Sequence, residues 1–277
     1  MKFEREKITE HIWRIRGTGD ACMYFIEGSE RGILVDTAYG VGDLKGYVEN
    51  TWRLPYDVVI THGHADHANG IGQFFTVYMN SRDIELYRTR TDIALRRKML
   101  KRTVKDIDAV PDDAFIPPFY GVFRELRDGM RFPLGNAEAE VYSAPGHTEG
   151  MMVILVPEDR TMLFGDACGV CTFLFKPESS TVEKYLNTLN KLKAMGDRYD
   201  RILRQHGTCE SPKSLVDENI ECAELILAGK DDHVPFEYMG DHVWMAKKIN
   251  PDTGMRTDGK SGNIVYAMNK IYEKEIG

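Results

Sequence analysis

The sequence predicts an α/β protein in which sheets are layered with helices. Three observations carry that expectation. Short apolar runs bounded by glycine recur in the first third and again past residue 137, two strongly amphipathic stretches lie late in the chain, and the order is strands, helices, strands, helix, strand, helix. A chain of 277 residues, 42% hydrophobic and 29% charged, is long enough for a substantial core. We expect one layered domain over residues 1–277, with a C-terminal extension from about residue 230.

The elements follow in order. "HIWRIRG", "CMYFIEG" and "GILVDTAYG" read as strands, and "DLKGYVENTW" (43–52) as a short helix. The run Val58-Val59-Ile60 is apolar at successive positions, which suits a strand covered on both faces. Residues 80–104 spread apolar side chains among charges, as helices do. Prolines and aromatics break regularity in "VPDDAFIPPFYGVF", after which "AEAEVYSAPG", "MMVILVP" and "TMLFGDACG" resume as strands. The clearest helix is "SSTVEKYLNTLNKLKAMG". Ser180 and Glu183 match a capping box, and Gly196 suits a left-handed stop. "RILRQHG" reads as a strand. "SPKSLVDENIECAELILAG" reads as a helix capped by Ser211, with Pro212 at its first position and Gly229 at its end. "NIVYAM" is the last strand.

Charge and composition exclude several functions. A net charge of −7 argues against nucleic acid as a partner, and the basic run "RRKMLKR" (96–102) suits the solvated face of a helix. No stretch reaches the ~18 apolar residues of a membrane span. The first residues, "MKFEREKITEHIWRIRG", lack an apolar signal core, and five cysteines form no paired framework. These features predict a cytoplasmic protein with free thiols. The expected partners are a small-molecule substrate and at most a second copy of the chain in a homodimer, with no nucleic acid and no membrane.

Three of the eight histidines fall between residues 62 and 67, in "THGHADHANG". They follow directly on an apolar strand. His62 and His64 are two apart, and in extended backbone their side chains share a side. Asp66 and His67 follow in the turn and can face a second point nearby. Imidazole and carboxylate suit zinc, and also iron or manganese. Burying such a cluster without an ion is costly, so the pattern points to metal.

With these residues the chain resembles the metallo-β-lactamase-fold hydrolase superfamily, on its glyoxalase II or lactonase-like branch. "HGHADH" resembles the signature. "APGHTEG" adds His147, "LFGDACG" adds Asp166, "RQHG" adds His206, and Asp36 in "GILVDTAYG" resembles the family's early buried aspartate. The match runs from about residue 20 to 210, and the motifs are specific as a set.

The resemblance implies a four-layer αβ/βα sandwich with its site at one edge. It implies that His62, His64 and His147 hold one metal, that Asp66, His67 and His206 hold a second, and that Asp166 bridges the two. Two zinc ions are the implied cofactors, with iron or manganese as alternatives. Asp66 and Asp166 are then the catalytic carboxylates, and a metal-bridging hydroxide attacks a small thioester, ester or lactone. The alternatives are an iron-dependent redox enzyme resembling persulfide dioxygenases, and a phosphodiesterase. Gly169 stands where lactonases of the superfamily commonly carry a tyrosine, three residues after the bridging aspartate, which counts against a lactone. Basic residues for a glutathione carrier are available at Lys213, Lys230, Lys247 and Lys248. Cys168, Cys171 and Cys209 read as small buried hydrophobes. Phe119, Tyr120 and Phe123 suit either a pocket roof or loop packing. His11, His233 and His242 read as packing or surface residues, although the tail around Phe236, Tyr238 and Trp244 could border the pocket.

Overall fold

The computed structural model describes residues 2–273. One sheet holds seven strands in chain order: β1 (Glu4–Lys7), β2 (Ile12–Arg16), β3 (Met23–Glu27), β4 (Gly32–Val35), β5 (Tyr56–Val59), β6 (Thr76–Met79) and β7 (Val122–Glu125). Its first four strands are antiparallel and its last four run parallel. A second sheet contains β8 (Arg131–Pro133), β9 (Glu138–Ser143), β10 (Met152–Val156), β11 (Thr161–Leu163), β13 (Arg201–Leu203) and β14 (Glu210–Ser211), in the order β14-β13-β11-β10-β9-β8. A smaller sheet joins β12 (Thr172–Leu174) to three late strands, β17 (Ile264–Tyr266), β16 (Asp241–Met245) and β15 (Val234–Tyr238).

The strand pattern decides which faces meet. Ile33 and Val35 of β4 and Val59 of β5 pack against Met152, Ile154 and Val156 of β10, Leu163 and Leu203 in one inner core. Their neighbours point outward. Leu34 and Val58 pack with Leu44 and Val48 of α1 (Leu44–Trp52) and with Tyr87 of α3 (Ser81–Arg88). On the opposite side Val153, Leu155 and Ile202 meet α5 (Val182–Ala194) and α6 (Leu215–Leu227). Alternation with period two therefore lets each central strand serve two apolar layers. Helix, sheet, sheet and helix give the four-layer sandwich that the sequence implied. A smaller apolar cluster under the 90–116 segment packs Leu100 of α4 (Ile93–Leu100) on Tyr39 and Phe115.

Two predicted helix starts are displaced. The cap of α5 is Thr181, whose hydroxyl accepts from Lys184 N at 3.2 Å. Ser180 is committed elsewhere, donating to the Glu149 carboxylate at 2.8 Å, so the Ser180–Glu183 box does not form. Gly196 opens a 3-10 turn (Gly196–Arg198) and does not take a left-handed conformation. Ser211 lies in β14 and accepts from Arg204 Nε, so α6 begins at Leu215 with Ser214 before it. Gly229 does end that helix, at φ +61°. Pairing with β13 outweighs the local cap signal at Ser211.

Candidate metal centre

Four strand ends build the site. His62 follows β5, His147 follows β9, Asp166 follows β11 and His206 follows β13, each within three or four positions of the strand's last residue. The loop after β5 turns at once into a short helix, α2 (Ala65–Ala68), which carries Asp66 and His67. Gly63 permits that turn, because a Cβ there would lie 2.4 Å from the Asp83 carbonyl. Gly165, at φ +55°, aims Asp166 inward in a conformation that side-chain-bearing residues rarely adopt.

The seven predicted residues converge. His62 Nε2 lies 3.1 Å from His64 Nδ1, and His147 Nε2 lies 2.9 Å from the same atom. His67 Nε2 is 3.2 Å from His206 Nε2, which is 3.3 Å from Asp66 Oδ2. Donor atoms that all lie within 4.8 Å of one another form three groups: His62, His64 and His147; His62, His67 and Asp166; Asp66, His67 and His206. Lone pairs crowded this closely repel unless a cation or proton sits among them.

Each imidazole is held at its far nitrogen. Thr61 Oγ1 lies 3.1 Å from His62 Nδ1, and Glu178 Oε1 lies 3.0 Å from His64 Nε2. Asp36 Oδ2 lies 2.9 Å from His67 Nδ1, and the Phe173 carbonyl lies 3.1 Å from His147 Nδ1. Asp20 Oδ2 is 3.4 Å from His206 Nδ1. Such partners fix the tautomer and the ring plane, as they do around metal-ligating histidines. Asp36 serves several groups at once. It also accepts from Thr61 N at 2.8 Å and Gln205 Nε2 at 3.0 Å, while its own backbone sits at φ +63°. A non-glycine residue held there, fully buried, is strain kept in place by its surroundings.

Asp83 is a further buried carboxylate. It accepts from Gly63 N, Gly150 N and Thr148 Oγ1 at 2.9, 2.7 and 2.7 Å, joining the 62–67 turn to the turn that carries His147. Burial raises its carboxyl above the ordinary value despite those three donors.

Electrostatics divide the cluster. Burial, with the charges of His67 and His64, holds His62 well below the usual imidazole range. Burial and His64 bring His147 down to about 4. For His67 burial is outweighed by Asp166, Asp66 and Asp36, which push it up to about 10. His206 is likewise raised, by Asp166, Asp20 and Asp66 against burial. Burial would raise Asp66 and Asp166, but the same two imidazoles hold both well below the usual carboxylate range. Burial also opposes ionisation of Glu178, yet His64 and Arg90 bring it down to about 2.

A cavity of about 420 Å³ opens over the cluster. Tyr39, Leu95, Met99, Phe173, Tyr238 and Met239 form much of its apolar wall. The tail therefore does border the site, through the turn after β15. Phe119, Tyr120 and Phe123 do not roof it. Phe119 is buried under the first sheet, and Tyr120 is 90% exposed beside a separate shallow depression. Among the described residues, none of Lys213, Lys230, Lys247 and Lys248 lines the cavity. Cys168 is buried against α5 and α6, whereas Cys171 reaches the cavity wall. His233 stacks on Trp244 with ring centroids 3.8 Å apart, a packing role. Asp20, Asp83, Arg90 and Glu178 carry no motif and become visible only through tertiary contacts.

A family model described as the metallo-beta-lactamase superfamily matches residues 16–206. The chain belongs to the metallo-beta-lactamase superfamily. It is 24% identical over 221 residues to the "Probable polyketide biosynthesis zinc-dependent hydrolase PksB" of Bacillus subtilis (strain 168), covering 75% of this chain and 83% of that one. It is 26% identical over 211 residues to the Homo sapiens "Acyl-coenzyme A thioesterase MBLAC2", covering 67% and 72%. It is 29% identical over 181 residues to a "Hydroxyacylglutathione hydrolase" of Methylococcus capsulatus, covering 64% and 58%. Among solved structures, a metallo-beta-lactamase from Pontibacter korlensis shares the fold, with a TM-score of 0.58 at 16% identity over 80% of this chain and 99% of that one. Within this superfamily the chain stands as a metal-dependent hydrolase. No helix among the described residues is long and apolar enough to cross a membrane.

Proposed function

We propose that the chain is a dinuclear hydrolase that cleaves a thioester of a small acyl group. The carrying observation is Asp166. Its Oδ2 lies 3.6 Å from His147 Nε2, 3.6 Å from His67 Nε2 and 3.5 Å from His206 Nε2, so one carboxylate faces both ends of the cluster. In this reading His62, His64 and His147 hold one zinc ion, Asp66, His67 and His206 hold the other, and Asp166 serves both. Imidazole and carboxylate donors with anchored far nitrogens fit that ion. Zinc bound there supplies an acidified water and polarises the scissile carbonyl.

The chain's own residues prepare that chemistry. Asp36, Glu178, Asp20, Thr61 and the Phe173 carbonyl hold the imidazoles, so the nitrogens facing one another in the cluster are set before substrate arrives. Asp66 and Asp166 stay ionised and offset the charge of bound cations. The apolar wall suits an acyl group. Relatives named for acyl-coenzyme A and hydroxyacylglutathione, both thioesters, support the choice of substrate class.

Metal analysis of the purified protein, followed by assays with thioesters, lactones and phosphodiesters, tests the reading. Two equivalents of zinc and thioester turnover are expected. One iron with oxygen consumption, or a preference for phosphodiesters, would sink it.

A further inference from the structure

We propose that Arg102 is an anion-recognition residue at the cavity mouth, selecting thioesters whose thiol carrier bears phosphate or carboxylate groups. The reaction in this proposal rests on the thioesterase reading, whereas the binding does not.

Arg102 lies just past the end of α4 and lines the cavity. Its Nη1 donates to the Tyr238 hydroxyl, and its guanidinium carbon sits 4.6 Å from the centre of the Tyr238 ring. That ring is itself packed on Phe173, with centroids 4.7 Å apart. A stacked, hydrogen-bonded guanidinium is already oriented, so little freedom is lost when it binds an anion.

The other cations of the wall are committed. Arg90 pairs with Glu178 at 3.1 Å, and Lys176 pairs with Asp241. Arg204 spends its guanidinium on Ser211, Thr208 and the His206 carbonyl. Among the described residues Arg102 has no carboxylate partner. The wall's carboxylates Asp20, Asp66, Asp166 and Glu178 all face imidazoles. Leu95, Met99, Val170 and Met239 add apolar surface to the same cavity. Val170 and Met239, 40% and 43% exposed, leave part of that apolar wall open to solvent. Such a surface fits a molecule with an apolar segment near its carbonyl and an anion farther out. A guanidinium fork takes either phosphate or carboxylate in a bidentate grip.

The test offers one acyl group on three thiols, to the zinc-loaded wild type and to Arg102→Gln. Coenzyme A supplies phosphates, glutathione supplies carboxylates, and N-acetylcysteamine is uncharged. We expect the ratio of KM values between uncharged and charged thioesters to fall about tenfold in Arg102→Gln, the scale of one charge-assisted contact. Tyr238→Phe, which keeps the ring and drops the hydroxyl, shifts the ratio in the same direction by about threefold. The carrier that loses more identifies the preferred anion. Equal KM changes for all three carriers overturn the proposal. If no thioester is turned over, the thioesterase reading falls and binding decides. Calorimetry with free coenzyme A and free glutathione then supports Arg102 if either thiol binds the wild type and binds Arg102→Gln about tenfold more weakly. Equal binding, or no binding to the wild type, rejects it.

Discussion

The two ends of the histidine cluster use similar side chains but shift them in opposite directions. At one end burial keeps His62 and His147 low, so they present lone pairs. At the other end Asp66, Asp166, Asp36 and Asp20 keep His67 and His206 high, so those imidazoles carry protons that a metal must displace. The difference comes from carboxylate placement, since His62 and His67 are equally buried but His67 alone pairs with Asp36, at 2.9 Å. It teaches that imidazoles a few ångströms apart can differ widely in their hold on a proton, so that the two ends of one cluster would take up a cation with unlike dependence on pH. Asp166 is the joint between the ends.

The sharpest way to break this comparison is to remove the joint. Asp166→Ala should lower turnover by about a thousandfold or more and reduce metal content at both positions. His147→Ala and His206→Ala should each lose about one equivalent, from opposite ends, which cobalt substitution and absorption spectra would distinguish. Full activity in any of these variants contradicts the assignment.

A smaller effect comes from pH. His67, at about 10, holds a proton at neutral pH, and displacing it grows harder as pH falls. His147, at about 4, has no proton to lose above pH 5. Dialysis from pH 8 to pH 5 should therefore strip the Asp66–His67–His206 end first. Each displaced proton costs up to about tenfold in affinity per pH unit. Simultaneous loss of both metals would erase the distinction.

The smallest effect sharpens the picture on the other side. Glu178→Gln keeps the shape but removes the charge that holds His64. Metal affinity at the three-histidine end should fall by roughly tenfold to a hundredfold, with little change at the other end. Competition with a chelating dye measures both.

Much of this site was legible in the sequence because its donors are local or follow strands. "HGHADH" puts four of them on one strand exit, and His147, Asp166 and His206 each sit on a turn after an apolar run. Apart from Asp36, their supports were not legible. Glu178 lies in "FKPESS" and Asp20 in "GTGDAC", where nothing in the neighbouring residues marks a role. Each acquires one only when distant segments pack. The helix starts were misplaced for a related reason. Ser180 and Ser211 have the chemistry of caps, but Glu149 and Arg204 claim their hydroxyls first. The run 96–102 reads as the solvated face of a helix; Arg102 is exposed but lies past the end of α4, and Arg96 is buried, donating to the Tyr39 and Ile116 carbonyls. What the local pattern could not show is the hairpin that brings Tyr238 over Arg102.

Asp83 ties two stretches of backbone that are far apart along the chain. The turn bearing His62 and His64 and the turn bearing His147 thus hang from a single anchor behind the donors. Neither can drift without dragging its counterpart, so this end of the cluster keeps its spacing as a unit.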